Sequence, residues 1–312
     1  MNVSMLQFVL TKGIGEATIK KALSFMQNNK CSWEELCVSY QTLSSVIGLK
    51  DEVIQNIELS RSKAELLIEK LNKNNIRAIV QNEKEYPQYL KNMLGEKCPP
   101  ILFVKGNISL LNSNAVGFCG SRKVSQKGID ITTECAHQLV QKNITVVSGY
   151  ASGTDLAAHR AALESGGNTI FVLAEGILKS YIKGGIKHLL NKKNHVFISQ
   201  FMPEITWNSG NAMKRNGTII GLSQSMILVE SGLSGGTFAA GEEALRVHCP
   251  LFVIDFAKPE VSAEANPYFI SKGGHPIRGR DGIPNLSKVF YCVEKKLRQP
   301  LVPKYDQIKL DI

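Results

Sequence analysis

Short apolar runs alternate with amphipathic stretches through most of this 312-residue chain. The runs have the length of buried strands, and the stretches between them repeat apolar positions at helical spacing. We predict strands at 115–119, 146–148, 169–174, 196–199, 225–229 and 251–256, and helices that include 216–223 and 237–247. Such alternation is typical of α/β proteins with a parallel sheet. The predicted fold class is α/β, an extended Rossmann-like, doubly wound and mostly parallel sheet with a small N-terminal helical domain.

The first 72 residues show short helical segments joined by short loops. Gly13-Ile14-Gly15 is similar to the turn of a helix-hairpin-helix, which exposes backbone N–H groups to one DNA phosphate, and 45–50 resembles a degenerate second copy. The same turn also simply joins two packed helices. Residues 1–70 contain eight basic and eight acidic side chains, which favours packing or protein contact over DNA binding. We predict a helical domain at 1–72 that resembles SAM and helix-hairpin-helix domains, a sheet domain at 73–284, and a short C-terminal helix and tail at 285–312.

Two glycine turns follow neighbouring predicted strands. The first contains Gly120, Ser121, Arg122 and Lys123, and the second contains Ser148, Gly149 and Gly153. Carboxyl ends of parallel strands meet at one edge of a sheet, where helix N-termini and backbone N–H groups bind phosphates. Glycine lets a ligand approach the backbone closely, although it also ends strands for purely steric reasons. The turns therefore predict a site for a nucleotide or a polyanion.

Positive charge is concentrated in one part of the chain. The net charge is +10, and between 176 and 229 seven basic residues stand against a single acid, Glu204. A one-sided stretch beside glycine turns indicates contact with a nucleic-acid backbone, whereas the plainer interpretation is a solvated basic face without a partner. The predicted contacts are Lys183, Lys187, Lys214, Arg215 and Asn216. Asn216 is equally suited to cap the helix that it begins.

Other residues near the turns favour structural roles. Asp155 lies at the start of a helix, where it is predicted to cap N–H groups and to hold the second turn in shape. His159, one helical turn later, is expected to be a hydrogen-bonded core residue. Phe201 is predicted to pack in the core, whereas Trp207 has polar neighbours and is open to base stacking. No catalytic set, metal site or cofactor is predicted.

Composition argues against other classes of protein. The seven cysteines contain no C-x-x-C pair, so neither a zinc site nor a disulfide framework is expected. No apolar run approaches the roughly 18–20 residues of a membrane span, and the N-terminus lacks a basic region followed by an apolar core. We expect a cytoplasmic protein without a membrane partner.

Motifs in a characteristic order cover about residues 5–256. They are Tyr86-Pro87, Pro99–Gly106, Gly120-Ser121-Arg122, 148–159, Tyr181 with Lys183, 199–203 and 211–223. Together they resemble the DNA-processing protein A family (DprA, also called Smf), bacterial proteins that bind single-stranded DNA during natural transformation. The chain departs from the family pattern at Ile182, Gln200 and Gly217. We expect a divergent member without the C-terminal winged helix that many relatives carry.

The resemblance implies a non-enzymatic function without a cofactor. Backbone amides of the two glycine turns, with Arg122, Lys183 and Arg215, would hold the phosphates of single-stranded DNA. The family further implies a homodimer and a partner recombinase of the RecA type. That recombinase would be loaded onto the protected strand in DNA uptake and recombination.

A second hypothesis comes from Ser234-Gly235-Gly236-Thr237, where Ser234 and Gly235 are further predicted phosphate contacts. This segment is similar to the Gly-Gly-Thr loop of a related superfamily of nucleotide hydrolases and sensors, and Glu230, Glu242 and Glu243 flank it. The protein would then be a nucleotide-ligand sensor, or an enzyme that cleaves an N-glycosidic bond, in defence or stress signalling. The basic stretch favours DNA, because a single nucleotide needs few cations.

Overall fold

The computed structural model describes residues 2–298, which form two compact units. The first unit comprises the described residues of Met1–Tyr86 and Pro99–Lys105, and the second comprises those of Pro87–Cys98 and Gly106–Ile312. Residues 299–312 of the predicted C-terminal helix and tail at 285–312 lie outside the described residues. The two units are defined by contacts in the structure, and the domain divisions predicted from the sequence at 72/73 and 284/285 stay predictions.

The first unit is mainly helical. Its helices are α1 (Val3–Leu10), α2 (Glu16–Asn29), α3 (Trp33–Val38), α4 (Asp51–Leu59) and α5 (Arg61–Lys73), with a π-helical turn at Thr42–Ile47. The strands β1 (Arg77–Val80) and β2 (Ile101–Gly106) are antiparallel partners, with Val80 opposite Ile101. Phe8 and Trp33 are buried, and their ring centroids lie 5.5 Å apart in the helical core.

The Gly13-Ile14-Gly15 turn between α1 and α2 is packed against the rest of this unit. Gly13 has a φ of +96°, a conformation that favours glycine, and a Cβ there would lie 3.0 Å from Val53 Cγ2 on α4. In the second copy, Lys21 Nζ donates to the Ile47 carbonyl at 3.1 Å. These contacts are packing contacts, the role that the neutral charge of the segment favours.

The second unit is built on a parallel sheet. Its strands are β3 (Ala115–Cys119), β4 (Thr145–Ser148), β5 (Thr169–Val172), β6 (His195–Ser199), β7 (Ser225–Leu228), β8 (Leu251–Ile254) and β9 (His275–Ile277). Their spatial order is β6-β5-β4-β3-β7-β8-β9, and each neighbouring pair is parallel. The chain runs outward from β3 in one direction and then places β7 on the other side of β3. The predicted Rossmann-like, mostly parallel α/β sheet is confirmed.

Helices flank the sheet of the second unit. They are α6 (Gln88–Leu94), α7 (Gln126–Gln141), α8 (Thr154–Glu164), α9 (Gly184–Lys187), α10 (Ser209–Leu222), α11 (Gly236–Arg246), α12 (Asn266–Ser271) and α13 (Ser287–Arg298), and a small hairpin joins β10 (Gly279–Arg280) to β11 (Ile283–Pro284). α7 packs on α8, whereas α10 packs on α6 and α11. Apolar side chains of β3, β7, α7 and α13, such as Phe118, Ile227, Leu139 and Val289, share one core.

α10 begins at Ser209, whereas the sequence pattern predicted its start at 216. The side chain of Asn208 accepts a hydrogen bond from the Asn211 N–H at 2.7 Å and so caps the helix earlier. Arg215 and Asn216 therefore lie inside the helix rather than at its beginning, which changes what their side chains reach.

None of the helices within residues 2–298 is long and apolar enough to cross a bilayer. All seven cysteines lie in this range as free thiols. In the same part of the chain, no three His, Cys, Asp or Glu side chains come together in a group that would hold a metal ion.

We expect Tyr86→Phe to lower the free energy of unfolding by about 1–2 kcal/mol. Tyr86 is fully buried and its hydroxyl donates to the Pro99 carbonyl at 2.5 Å, so the variant removes a donor from a buried acceptor. Chemical denaturation measures the difference. Tyr40→Phe is the control, because Tyr40 is 55% exposed and bonds to Asp51, and its change should stay below about 0.5 kcal/mol. Equal losses in the two variants would contradict the prediction.

Candidate nucleic-acid interface

The candidate site lies at the carboxyl ends of β3 and β7, where the strand order reverses. β3 pairs with β4 on one side and with β7 on the other, so the chain leaves these strands in opposite directions and opens a crevice. Ligands of doubly wound sheets bind in such crevices. A cavity of about 970 Å³, the larger cavity, occupies this place between the first glycine turn, α10 and the loop before α11.

A second cavity of about 260 Å³, the smaller cavity, adjoins the first. The residues that line both cavities are Arg122, Ala151, Trp207 and Arg215. The smaller cavity is further lined by Tyr150, Ser152, Ala174, Glu175, Tyr181 and Lys183. Three basic side chains and three aromatic side chains therefore surround one small space.

The two glycine turns are packed directly against each other. A Cβ at Gly120 would overlap the Thr154 side chain, and a Cβ at Gly153 would overlap the Ser121 carbonyl oxygen. Thr154 N–H donates to that carbonyl at 3.2 Å, and Gly153 has a φ of +75°. These glycines permit the turns to approach each other. Gly120 also lines the larger cavity, so its predicted contact with a ligand stays a prediction, whereas Gly153 lines neither cavity.

The Asp155 carboxylate stabilises the second glycine turn by hydrogen bonds. Its carboxylate accepts hydrogen bonds from the Ser148 hydroxyl at 2.9 Å and from the Ala151 N–H at 3.2 Å. The predicted cap on the N–H groups of its own helix is wrong, because α8 begins after Gly153 without a side-chain cap. The expectation that Asp155 shapes the turn agrees with the Ala151 contact.

Arg215 reaches from α10 to this buried carboxylate. Its Nη1 lies 4.0 Å from Asp155 Oδ2, and a Cβ at Gly149 would overlap the guanidinium. The Arg215 side chain therefore packs directly on the backbone of Gly149. Any other residue at position 149 would place its Cβ where the guanidinium lies. Both Ser148 and Gly149 are buried, so they support the site and do not form its surface.

The Arg215 guanidinium is buried but incompletely satisfied. Arg215 is only 7% exposed, and within the described residues its Nε and Nη1 atoms have no hydrogen-bond partner. Burial lowers the pKa of Arg215, and the nearby Asp155 and Glu175 carboxylates act in the opposite direction. Arg215 lines both cavities, so an anion that enters either one is attracted by the charge of this guanidinium.

Arg122 and Lys183 place two further cations at the cavities. Arg122 is exposed, and its guanidinium carbon lies 5.5 Å from the centroid of the Trp207 ring. Lys183 Nζ donates to the Tyr150 carbonyl at 2.5 Å and lies 4.4 Å from the Tyr150 ring centroid. Partial burial lowers the pKa of Lys183. Together with Arg215, these side chains make the crevice strongly positive.

The other predicted contacts fall into two groups. Ser121, Asn216, Ser234 and Gly235 line the larger cavity. Lys123, Lys187 and Lys214 are exposed but line neither cavity. The capping alternative for Asn216 is wrong, because Asn216 lies inside α10 and its Nδ2 donates to the Gly236 carbonyl at 3.1 Å.

His159 is a fully buried residue with both ring nitrogens engaged. Its Nε2 lies 2.5 Å from the Gly149 carbonyl oxygen, and its Nδ1 lies 2.6 Å from the Thr169 hydroxyl. A carbonyl oxygen only accepts, so Nε2 carries the proton that is donated to Gly149. Burial lowers the pKa of His159 to about 3. The neutral His159 ring thus fixes the position of the Gly149 backbone by a hydrogen bond, and Arg215 packs on that backbone.

The N-terminus of α7 is occupied by the protein itself. Ser125 caps this helix by accepting from the Gly128 N–H at 3.0 Å. The buried Glu230 carboxylate, at the end of β7, accepts from the Ser125 N–H at 3.0 Å and from the Ser125 hydroxyl. The expectation that helix N-termini at this edge face phosphates is therefore wrong for α7, because a carboxylate already fills that position.

The glutamates around the Gly-Gly-Thr loop are engaged elsewhere. Glu230 accepts hydrogen bonds from Ser125, the residue that caps α7. Glu243 accepts from Arg246 Nε at 2.7 Å, and Glu242 bonds to Tyr268. The bonds from Arg246 lower the pKa of Glu243. In the part of the chain that the structure describes, Asp155 is the carboxylate that lines the larger cavity. The acid that a glycosidic hydrolase needs beside this loop is not presented there.

Sequence reasoning missed part of the site. Glu175, which follows β5, lines the smaller cavity and was not singled out. Trp207 lines both cavities, and its polar neighbours in the sequence are the signal that distinguishes it from a core residue. Tyr181 lines the smaller cavity, and its spacing of two residues from Lys183 is the signal that the two side chains line the same space.

This geometry defines a class of protein: a Rossmann-like α/β protein with a basic crevice at the switch point of its sheet. The family model described as DNA recombination-mediator protein A matches residues 77–285. The chain belongs to this family, and the resemblance inferred from its motifs is confirmed.

Individual relatives agree with this assignment. DNA processing protein DprA of Bacillus subtilis is 29% identical over 183 residues, which are 57% of this chain and 60% of that protein. DprA of Streptococcus pneumoniae is 34% identical over 158 residues, which are 50% of this chain and 55% of that protein. The chain thus spans little more than half the length of these relatives.

Two solved structures share the fold. The X-ray structure of DNA processing protein A from S. pneumoniae has a TM-score of 0.74 at 23% identity, covering 91% of this chain and 97% of that one. The single-stranded-DNA-binding DNA processing protein A of Helicobacter pylori has a TM-score of 0.57 at 20% identity, covering 71% of this chain and 95% of that one.

We expect His159→Gln to make the free energy of unfolding less dependent on pH below about pH 6.5. The folded pKa is about 3, whereas an unfolded histidine titrates near pH 6.5, so between these values only the unfolded chain binds the proton. Stability is therefore lost as the pH falls, by about 1.4 kcal/mol per pH unit from this residue. Chemical denaturation of both proteins between pH 6 and pH 4.5 measures the difference in slope. Parallel profiles would show that His159 is protonated in the fold.

Proposed function

We propose that this protein binds single-stranded DNA at the carboxyl edge of its sheet and does not cleave it. The observation that carries this proposal is the convergence of the Arg122, Lys183 and Arg215 side chains at the smaller cavity. Arg122 and Arg215 also line the larger cavity, so the positive charge extends along both. Three cations at one crevice suit a chain of phosphates better than a single one.

A flexible strand suits this site better than a rigid duplex. The basic and aromatic side chains lie around cavities at the end of a sheet, and a single strand bends its backbone to follow such a wall. Single-stranded DNA binding is described for the H. pylori relative, which supports the same ligand class here.

Binding without turnover fits the chemistry of the crevice. Hydrolysis requires a positioned acid or base. Asp155, which lines the larger cavity, accepts hydrogen bonds from Ser148 and Ala151 and faces Arg215. The Asp155 carboxylate thus stabilises the second glycine turn by hydrogen bonds and offsets the charge of the Arg215 guanidinium.

Family membership supports a role in recombination. The matching family model is described as DNA recombination-mediator protein A. We propose that the protein works in the cytoplasm as a homodimer, protects incoming single strands and loads a RecA-type recombinase onto them during DNA uptake. Size-exclusion chromatography with light scattering, and loading assays on coated single strands, test these two parts.

We expect the purified protein to bind single-stranded DNA more tightly than duplex DNA or free nucleotides. Affinity should fall steeply with salt, because phosphate contacts release counterions. Fluorescence anisotropy at several salt concentrations, with oligonucleotides of equal length, measures both effects. Tighter binding to duplex, or an affinity that does not respond to salt, would overturn the proposal. Tight binding of free nucleotides alone would favour the sensor hypothesis.

We expect Arg122→Ala to weaken binding of all sequences alike, by about 1–3 kcal/mol. Its exposed guanidinium has no ion pair within residues 2–298, so a phosphate contact is the main interaction that it loses. Lys142→Ala is the charge-matched control, because Lys142 is exposed where α7 ends, just before β4 begins. Equal effects of the two variants would mean a diffuse charge effect.

A second set of alanine variants separates a pocket from a continuous track. We expect Lys183→Ala to weaken binding as Arg122→Ala does, because Lys183 lines the smaller cavity. Lys187 and Lys214 line neither cavity, and their variants should weaken binding only if the strand continues along the surface. Anisotropy under the same conditions decides between the two paths.

A further inference from the structure

A glycine-rich loop between β7 and α11, here called the cavity loop, forms one wall of the larger cavity. Its residues all line that cavity: Gly232, Leu233, Ser234, Gly235 and Gly236. Glycine loses more conformational freedom on ordering than any other residue, so three glycines in five positions make one fixed conformation costly. The conformation of the cavity loop therefore depends on what holds its ends.

Asn266, the first residue of α12, holds the strand ends next to the cavity loop. Its Nδ2 donates to the Val229 carbonyl at 2.7 Å and to the Ile254 carbonyl at 2.9 Å. Its Oδ1 accepts from the Ser231 N–H at 3.0 Å. Asn266 is 1% exposed, and it lines neither cavity. One buried amide thus joins the segment after β7, the end of β8 and the residue from which the cavity loop begins.

The Ser231 backbone is held at both of its polar groups. Ser231 is fully buried, and its carbonyl oxygen accepts from the Ala265 N–H at 2.8 Å, while its N–H donates to Asn266. Its hydroxyl donates to the Gly232 carbonyl at 2.9 Å. Beyond Gly232, the residues of the cavity loop are exposed. The buried start of the loop is therefore fixed by two consecutive residues at the beginning of α12.

The far end of the cavity loop is held by a second asparagine. Asn216 Nδ2 donates to the Gly236 carbonyl at 3.1 Å. Asn216 itself lines the larger cavity, so its contact with the loop and its contact with a ligand would be lost together in a variant. Asn266 lies behind the loop, so an effect of its substitution on binding passes through the backbone that it holds.

We propose that Asn266 is a positioning residue for DNA binding. By fixing Ser231, it keeps the cavity loop in one conformation, in which Ser234 and Gly235 face a phosphate in the larger cavity. A loop that is ordered before the ligand arrives loses less conformational entropy on binding, so the affinity is higher. The inference rests on the proposed single-stranded DNA binding and extends it to a residue outside both cavities.

Two substitutions of Asn266 separate positioning from stability. Asn266→Ala removes the acceptor for Ser231 and both donors, so it should lower the free energy of unfolding and also weaken oligo-dT binding. The expected loss of affinity is roughly 5- to 30-fold, the cost of ordering about one further backbone residue. Asn266→Asp keeps an oxygen that accepts from Ser231 but lacks the amide donors to the strand ends. It should lose stability and keep most of its affinity.

Asn194→Ala is the matched control. Asn194 is 9% exposed, its Nδ2 donates to the Leu189 carbonyl at 2.9 Å, and its Oδ1 accepts from the Asn191 N–H at 2.9 Å. It lies directly before β6 and lines neither cavity. We expect this variant to lower the free energy of unfolding and to leave oligo-dT affinity unchanged. Chemical denaturation measures stability, and fluorescence anisotropy on the full chain, well below the unfolding transition, measures affinity.

Hydrogen exchange of the wild-type protein is a test that needs no variant. The Ser231 amide should exchange slowly with and without oligo-dT, because it is buried and bonded to Asn266. The amides of the cavity loop should exchange faster in the free protein and slow down when oligo-dT binds. In Asn266→Ala, the Ser231 amide should lose its protection.

Four outcomes are decisive. A loss of affinity in Asn266→Ala no larger than that in Asn194→Ala would overturn the inference while the binding function stands. Equal losses of affinity in Asn266→Ala and Asn266→Asp would show that the strand ends, and not Ser231, transmit the effect, which also overturns it. If Asn266→Ala does not fold, wild-type loop amides that do not respond to oligo-dT would overturn it. Failure of the wild-type protein to bind oligo-dT would instead reject the proposed function itself.

Discussion

The site depends on the buried contact between Arg215 and Asp155 beneath the second glycine turn. The 4.0 Å separation lets the carboxylate offset the charge of the guanidinium without covering all of its donors. A buried guanidinium needs such a partner, because an uncompensated charge in this position would be expensive. The same carboxylate bonds to Ser148 and Ala151, so the turn and the charge are held by one group.

Interlocking turns make this arrangement stiff. Gly120 faces Thr154 and Gly153 faces the Ser121 carbonyl, so neither turn can shift without the other. His159 fastens the Gly149 carbonyl from the core side. Because Glu230 already fills the N-terminus of α7, attraction for an anion comes chiefly from side-chain cations rather than from that helix. The basic residues are therefore essential to the proposed binding.

Much of this protein could be predicted from its sequence. Apolar runs separated by helical patterns were sufficient for the α/β class, because buried parallel strands have an unmistakable composition. The order of the motifs was sufficient to identify the family. The excess of basic residues between 176 and 229 indicated the region that contains Lys183 and Arg215. Arg122, placed by its glycine turn, does lie at the cavities. These properties are local, since each is encoded by neighbouring residues.

Only the tertiary structure decided which basic residues meet. Lys183 and Arg215 converge with Arg122, whereas Lys187 and Lys214 lie outside both cavities, although the five residues look alike in the sequence. The tertiary structure also placed Asn216 inside α10, brought Glu230 into hydrogen-bonding contact with Ser125, and brought Glu175 and Trp207 to the same cavity. The sequence determined the elements, the family and the charge, because these follow from residue type and spacing. Convergence of side chains depends on strand order and packing between distant segments, which no local pattern contains.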